Sequence, residues 1–239
     1  MIEGYDMNKA PQRVQGIFDG LAKDYDKMND IISLGTHRSW RAKTMASIDI
    51  PKNGQILDVA AGTGDWTIAL AKELGDKGHV TGFDLSPEML AVAREKVREA
   101  GVSFWVTLTQ GNAMELPYED DTFDLVTIGF GLRNLPDTEK GLQELYRVLK
   151  PGGQLVVLET SQPDNPVIKP FWKMYFKGVM PMMGKVFAHD KDSYDYLEKT
   201  TEEFMAFTAL ADLMRETGFK TVAYQRFNFG AAAAHFGIK

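Results

Sequence analysis

Gln55-Ile56-Leu57-Asp58-Val59-Ala60-Ala61-Gly62-Thr63-Gly64-Asp65 spells out a strand, a turn and the start of a helix. A short apolar run, Gln55 to Ala60, reads as a buried strand. The turn that follows is rich in glycine, and Asp65 to Leu74 carries a helical pattern ended by Gly75. Beyond that helix, His79 to Asp84 is a second strand, and Ser86-Pro87 supplies a helix cap and a first-turn proline. The helix after it holds Met89, Leu90, Val92, Ala93, Val97 and Ala100 on one side and stops at Gly101. Phe104 to Leu108 is expected as the third strand, Asp124 to Ile128 as the fourth and Gln154 to Glu159 as the fifth. Leu142, Leu145, Tyr146 and Leu149 mark a helix between the last two. Strands alternating with helices imply parallel pairing through right-handed crossovers, hence a doubly wound α/β layer structure.

The flanks differ. Residues 11–48 mix polar and aromatic side chains and are expected as short helices forming a lid. Residues 161–200 hold Pro163, Pro166, Pro170 and Pro181, which interrupt regular structure, and are expected as an insert. Thr200-Thr201-Glu202-Glu203 reads as a capping box opening a helix that ends near Gly218. Thr221 to Phe227 and Ala231 to Ile238 follow as two final strands, making a mostly parallel seven-stranded sheet. Residues 1–239 form one domain in this reading, with 11–48 as lid, 55–160 as core, 161–200 as insert and 201–239 as the closing helix and strands.

Composition excludes several classes. The chain has 239 residues, 44% of them apolar, which is ample for a core. It has no cysteine, so disulfides, thiolate nucleophiles and cysteine-held metals are absent, in keeping with a reducing cytoplasm. A net charge of −6 disfavours non-specific nucleic-acid binding. No window is apolar enough to span a membrane, and the first residues do not form a secretory leader. No His-x-x-x-His or Glu-x-x-His pair suggests a catalytic metal.

The glycine turn with Asp58, Gly62 and Gly64 lets backbone N–H groups approach a ligand ahead of a helix N-terminus. Asp84 ends the adjacent strand, where a carboxylate can accept from both ribose hydroxyls. Nicotinamide enzymes share this pattern. However, their third glycine would fall at position 67, which is Thr67, and Asp58 and Asp65 would repel a pyrophosphate. Two acids suit a ligand carrying an ammonium and a sulfonium.

Asp58 to Asp65 with Asp84 resembles the class I S-adenosylmethionine-dependent methyltransferases. Tyr25 to Trp40 (YDKMNDIISLGTHRSW) is similar to the N-terminal signature of the ubiquinone/menaquinone biosynthesis C-methyltransferases. Arg147 to Gly153 with Leu158 to Ser161 resembles their second signature, and Gly129 to Asn134 (GFGLRN) their segment after strand four. The resemblance runs from about Phe18 to the C-terminus. It implies a Rossmann-like methyltransferase fold and S-adenosyl-L-methionine as the methyl donor. It also implies C-methylation of a demethylated polyprenyl quinol, with demethylmenaquinol as the leading acceptor. A benzoquinol of the ubiquinone pathway, another phenolic or sterol-like acceptor, a nicotinamide oxidoreductase and a non-catalytic quinone-pathway subunit stand as alternatives.

The resemblance carries cofactor contacts onto Thr63 at the methionine end, Asp84 at the ribose, and Asn112 and Ala113 at the adenine. Many relatives have a contacting serine where this chain has Gly129. On the acceptor side, Arg133 is the candidate cation beside a phenolic oxyanion and Asn134 the orienter of a second ring oxygen. Tyr25 and His37 are further polar candidates on the lid. Residues 170–187 (PFWKMYFKGVMPMMGKVF) hold four of the twelve methionines and four of the 22 Phe and Tyr residues. Five lysines face two aspartates between Ser161 and Lys191. That segment fits a lid, a channel for a prenyl tail or a peripheral contact with the inner face of a membrane. A homodimer is compatible with the sequence.

Overall fold

The computed structural model describes residues 6, 9–163, 167, 170, 174 and 191–239. The lid comprises α1 (Pro11–Leu21), α2 (Tyr25–Ser33) and α3 (Thr36–Met45). The core then alternates β1 (Gln55–Val59), α4 (Asp65–Leu74), β2 (His79–Asp84), α5 (Pro87–Glu99), β3 (Val106–Gln110), β4 (Phe123–Gly129), α6 (Thr138–Val148) and β5 (Leu149–Thr160). After the insert come α7 (Lys191–Glu203), α8 (Phe207–Thr217), β6 (Thr221–Phe227) and β7 (Ala232–Ile238).

Sheet order is β3-β2-β1-β4-β5-β7-β6. β7 runs antiparallel between β5 and β6, and every other pair is parallel. The chain winds outward from β1 to β3, then returns to place β4 against β1. The expected crevice of a doubly wound sheet therefore opens at the carboxyl ends of β1 and β4.

Alternation along β1 assigns the two faces. Leu57 and Val59 join Leu142 and Leu145 of α6 and Leu210 and Met214 of α8 in one core cluster. Ile56 joins Leu70 of α4, Val97 of α5 and Trp40 of α3 in the other. A third cluster packs Val14 and Met28 of the lid against Met89 of α5 and Tyr196 and Leu197 of α7.

Three expectations need correction. β3 begins at Val106, because Ser103–Trp105 forms a single 3-10 turn that leaves Phe104 88% exposed. β5 begins at Leu149 rather than Gln154, since Leu149 already pairs with Phe123 before the register shifts. Thr200 to Glu203 does not open a helix but completes α7, where the Thr200 hydroxyl donates to the Leu197 carbonyl. The first N–H of α8 is satisfied from far along the chain instead: Phe207 N–H donates to Ser161 Oγ at 2.9 Å. Of the 170–187 segment only Pro170 and Met174 belong to the described residues, so that expectation lies outside them.

Candidate active site

Two neighbouring strands end on residues with left-handed backbones that are not glycine, Ala60 (φ 53°) after β1 and Phe130 (φ 56°) after β4. Such residues hold strain of order 1–3 kcal/mol and gather where a ligand must be met. Glycines surround them for lack of space. A Cβ on Gly131 would lie 2.3 Å from the Ala60 Cβ, and one on Gly129 would lie 2.7 Å from the Trp66 ring. Trp66 thus fills the room that a serine at 129 would need.

Above these strand ends lie two cavities. The larger, about 690 Å³, has Gly62, Asp84, Asn112 and Ala113 toward β2 and β3, and Lys9, Tyr25 and Asn134 toward the lid and the loop after β4. The smaller, about 440 Å³, shares Tyr25, Ala60, Gly62 and Gly129 with it and adds Asp58, Thr63 and Asp65.

Asp84 is fixed by backbone donors. Its Oδ2 accepts the Gly62 N–H at 2.8 Å and its Oδ1 the Ser86 N–H at 2.9 Å. Burial nonetheless raises its pKa above the ordinary carboxylate range. Each oxygen keeps lone-pair capacity for a further donor, as recognition of a ribose diol requires. Asn112 turns its Oδ1 to the Met114 N–H at 3.0 Å, which leaves its NH₂ as a donor. A Cβ on Gly111 would lie 2.3 Å from the Phe83 ring, so the backbone runs against that ring at the cavity edge. These residues fit the adenosyl half of S-adenosyl-L-methionine.

The two acids of the glycine turn are not free charges. Asp58 is 1% exposed and accepts the Thr67 hydroxyl at 2.6 Å and the Thr127 hydroxyl at 2.7 Å. Burial pushes its pKa up to about 6 against those hydrogen bonds. Asp65 bonds Arg41 of α3 at 2.7 Å and also the Lys96 ammonium of α5. Burial alone would raise the Asp65 carboxyl, but Arg41 and Lys96 together hold it below its ordinary range. Lys96 reaches Asp26 of α2 at 2.7 Å as well, and the Thr63 hydroxyl donates to Asp26 at 2.6 Å. The Ser86 hydroxyl donates to Asp19 of α1 at 2.5 Å. Each lid helix therefore sends one charged side chain, Asp19, Asp26 or Arg41, to the rim.

The acceptor-side candidates separate. Tyr25 and Asn134 line the larger cavity. The Asn134 Oδ1 accepts from the Tyr196 hydroxyl of α7 at 3.2 Å, and its Nδ2 donates to the Phe130 carbonyl at 3.3 Å. Burial raises the pKa of both tyrosines, Tyr196 to about 12. Arg133 is buried beside this cavity without lining it. Its Nη1 donates to Glu159 Oε1 at 2.7 Å and to the Phe130 carbonyl at 2.6 Å, and its main-chain N–H donates to Glu159 Oε2. Glu159, 1% exposed, matches that charge. His37 lines neither cavity. Its Nδ1 lies 2.6 Å from the Ser33 hydroxyl, and burial, with Arg41 nearby, lowers its pKa.

Sequence reasoning missed Lys9, Tyr196 and the partners Asp26, Arg41 and Lys96. Glu159 stood inside a quoted signature without a role. Nothing in the spacing of Lys9 points at the cavity, nor in that of Tyr196 at Asn134, to which only the folded chain brings them.

The ubiE/COQ5 methyltransferase family model matches residues 6–239. A demethylmenaquinone methyltransferase of Lactiplantibacillus plantarum is 57% identical over 232 residues, covering 97% of this chain and 98% of the relative. One of Bacillus subtilis is 49% identical over 228 residues, 95% and 97% of the two chains. Among solved structures, a SAM-dependent methyltransferase from Aquifex aeolicus superposes with a TM-score of 0.61 at 20% identity, covering 96% of this chain and 98% of that one. The cyclase SpnF gives 0.67 at 20% identity, covering 95% of this chain and 79% of that one. Likeness at that level establishes the fold, which carries more than one chemistry.

Proposed function

The chain belongs to the ubiE/COQ5 methyltransferase family, and from that premise we propose which of its residues perform each part of the reaction. It is an S-adenosylmethionine-dependent methyltransferase that carries out C-methylation in menaquinone biosynthesis, as its relatives named demethylmenaquinone methyltransferase support. The observation that carries the assignment of residues is the Asp84 carboxylate, held by the Gly62 and Ser86 backbone N–H groups in the lining of a cavity otherwise mainly apolar.

When bound, the donor supplies an activated sulfonium methyl group. In this reading Asp84 accepts the ribose hydroxyls, and Asn112 with Ala113 meets the adenine edge. Gly62, Thr63 and Gly64 border the methionine end above Asp58. Val14, Phe18, Leu135 and Pro136 give the larger cavity apolar walls that exclude water and suit an aromatic ring. Tyr25 and Asn134 orient the ring oxygens. Arg133, its charge matched by Glu159, holds the loop after β4 so that Asn134 keeps its place. His37 belongs to the packing of α3 on α2.

The acceptor is the reduced, polyprenylated quinol. A ring carbon becomes a strong nucleophile once its phenolic oxygen is ionised, which for a pKa near ~10 costs roughly 4 kcal/mol at neutral pH without help from the site. Positioning donor and acceptor for in-line displacement is then the enzyme's main task. Among the described residues no helix is long and apolar enough to cross a membrane. Contact of residues 170–187 with lipid, and association into a homodimer, complete the proposal.

Purified protein given S-adenosylmethionine and demethylmenaquinone, reduced in one sample and oxidised in the other, tests the reading by mass spectrometry. The reduced acceptor alone gains a methyl group. Methylation of neither form, or tight dinucleotide binding without affinity for S-adenosylmethionine, overturns it.

A further inference from the structure

An ionised acceptor oxygen needs a cation, and most of those at the rim are already committed. Arg41 is held on Asp65, Lys96 on Asp26 and Asp65, and Arg133 on Glu159. Lys9 is different. It lines the larger cavity together with Asn134, Leu135 and Pro136. Its place there is fixed by backbone hydrogen bonds: Asp6 N–H donates to the Pro136 carbonyl and Lys9 N–H to the Asp6 carbonyl, both at 2.9 Å. Among the described residues no ion pair or side-chain hydrogen bond holds its ammonium.

Resting on the methyltransferase reading above, we propose that Lys9 is a catalytic residue that pairs with the ionised phenolic oxygen of the acceptor. The charged groups that face it are Asp6 on its own segment, Glu203 at the end of α7, and Arg133 with Glu159 below the cavity. Burial lowers its pKa, and Asp6 and Glu203 oppose that effect. A partly desolvated ammonium is a strong partner for a second charge brought into the same cavity.

On binding, the phenolic O–H gives its proton to solvent and the oxygen takes Lys9 as counter-ion. The ring carbon's electron pair forms the new C–C bond while the sulfonium S–C bond breaks and sulfur keeps that pair. The methylated carbon then loses its hydrogen as a proton, which restores the phenolic O–H through water. One proton is released per methyl group transferred.

Lys9→Met and Lys9→Arg, assayed with demethylmenaquinol from about pH 6 to 10, test the assignment. Lys9→Met is expected to lower kcat at least ~10-fold at neutral pH, with donor affinity by calorimetry unchanged within about twofold. The rate recovers at high pH, where the phenol ionises unaided, and Lys9→Arg restores part of the neutral-pH rate. A chromophoric naphthol bound beside S-adenosylhomocysteine gives a second readout: its pKa is depressed in the wild type and ordinary in Lys9→Met. A wild-type pH profile and wild-type naphthol pKa in Lys9→Met overturn the role of Lys9 while leaving the methyltransferase reading intact. Absence of methyl transfer by the wild-type protein overturns both. Where Lys9→Met does not fold, Lys9→Gln takes its place with the same outcomes.

Discussion

The proposed donor end and the proposed acceptor end of the rim are built in different ways. At the proposed donor end, Gly62, Asp84 and Asn112 sit at or just past the ends of consecutive strands; Asp84 and Asn112 accept from backbone N–H groups two residues on, and Asp84 also accepts from Gly62 on the neighbouring turn. At the proposed acceptor end, Lys9, Asn134, Glu159 and Tyr196 come from four distant parts of the chain: Tyr196 bonds Asn134 and Glu159 bonds Arg133 through side chains, while Lys9 only lines the same cavity as Asn134. A site of the first kind is as rigid as the sheet beneath it. A site of the second kind holds only while the lid, the loop after β4 and α7 are docked together.

The contrast can be broken most severely at Glu159. Glu159→Ala strands the Arg133 guanidinium in a buried position and should cost about 3–5 kcal/mol of stability. Denaturant unfolding checks this, and Arg133→Met in the same chain should recover part of the loss. At the donor end, Asp84→Asn should weaken S-adenosylmethionine binding roughly 100-fold, through lost charge-assisted hydrogen bonds, while acceptor KM stays within a few-fold. Calorimetry and steady-state kinetics separate the two. A parallel loss in acceptor KM would mean that the two ends are not independent.

Asp58, beneath the proposed donor end, makes stability depend on pH. Its folded pKa, about 6, lies above the ordinary value of 3.8, so between those values the folded state binds the proton that the unfolded state has lost. Its contribution to stability therefore falls as pH rises from about 4 to 6 and is level above, a total of roughly 3 kcal/mol. Asp58→Asn should flatten that slope in thermal unfolding. Donor binding should weaken below about pH 6 as Asp58 takes up its proton, and Asp84, which burial also raises, adds to the loss at lower pH, so that Asp58→Asn removes only part of the dependence. The smallest effect is at the border between the ends. Gly129→Ser drives a Cβ into Trp66 and should cost about 1–3 kcal/mol, relieved by Trp66→Leu, as unfolding of the single and double variants will show.

The elements of the core were legible in the chain because they follow local rules. Gly75 stops α4, Ser86 and Pro87 start α5, and the period of apolar residues marks the strands. Phe104 was misread because apolar character does not by itself imply burial. Thr200 to Glu203 was misread because the cap of α8 is Ser161, 46 residues upstream of Phe207. At the site, Asp84 and the glycine turn could be found from spacing along adjacent strands. Arg133 could be found as a residue, but its neutralisation by Glu159 could not.

The residues of the chain set its helices, its strands and the glycine turn proposed to meet the donor, since glycine conformations, caps and strand ends act within a few residues of one another. Only the tertiary structure decided which charges remain available to a ligand. Asp65 and Arg133 are consumed by partners distant in the chain, and Lys9 is carried to the cavity by Pro136, because electrostatic pairing depends on distance in space and not along the chain.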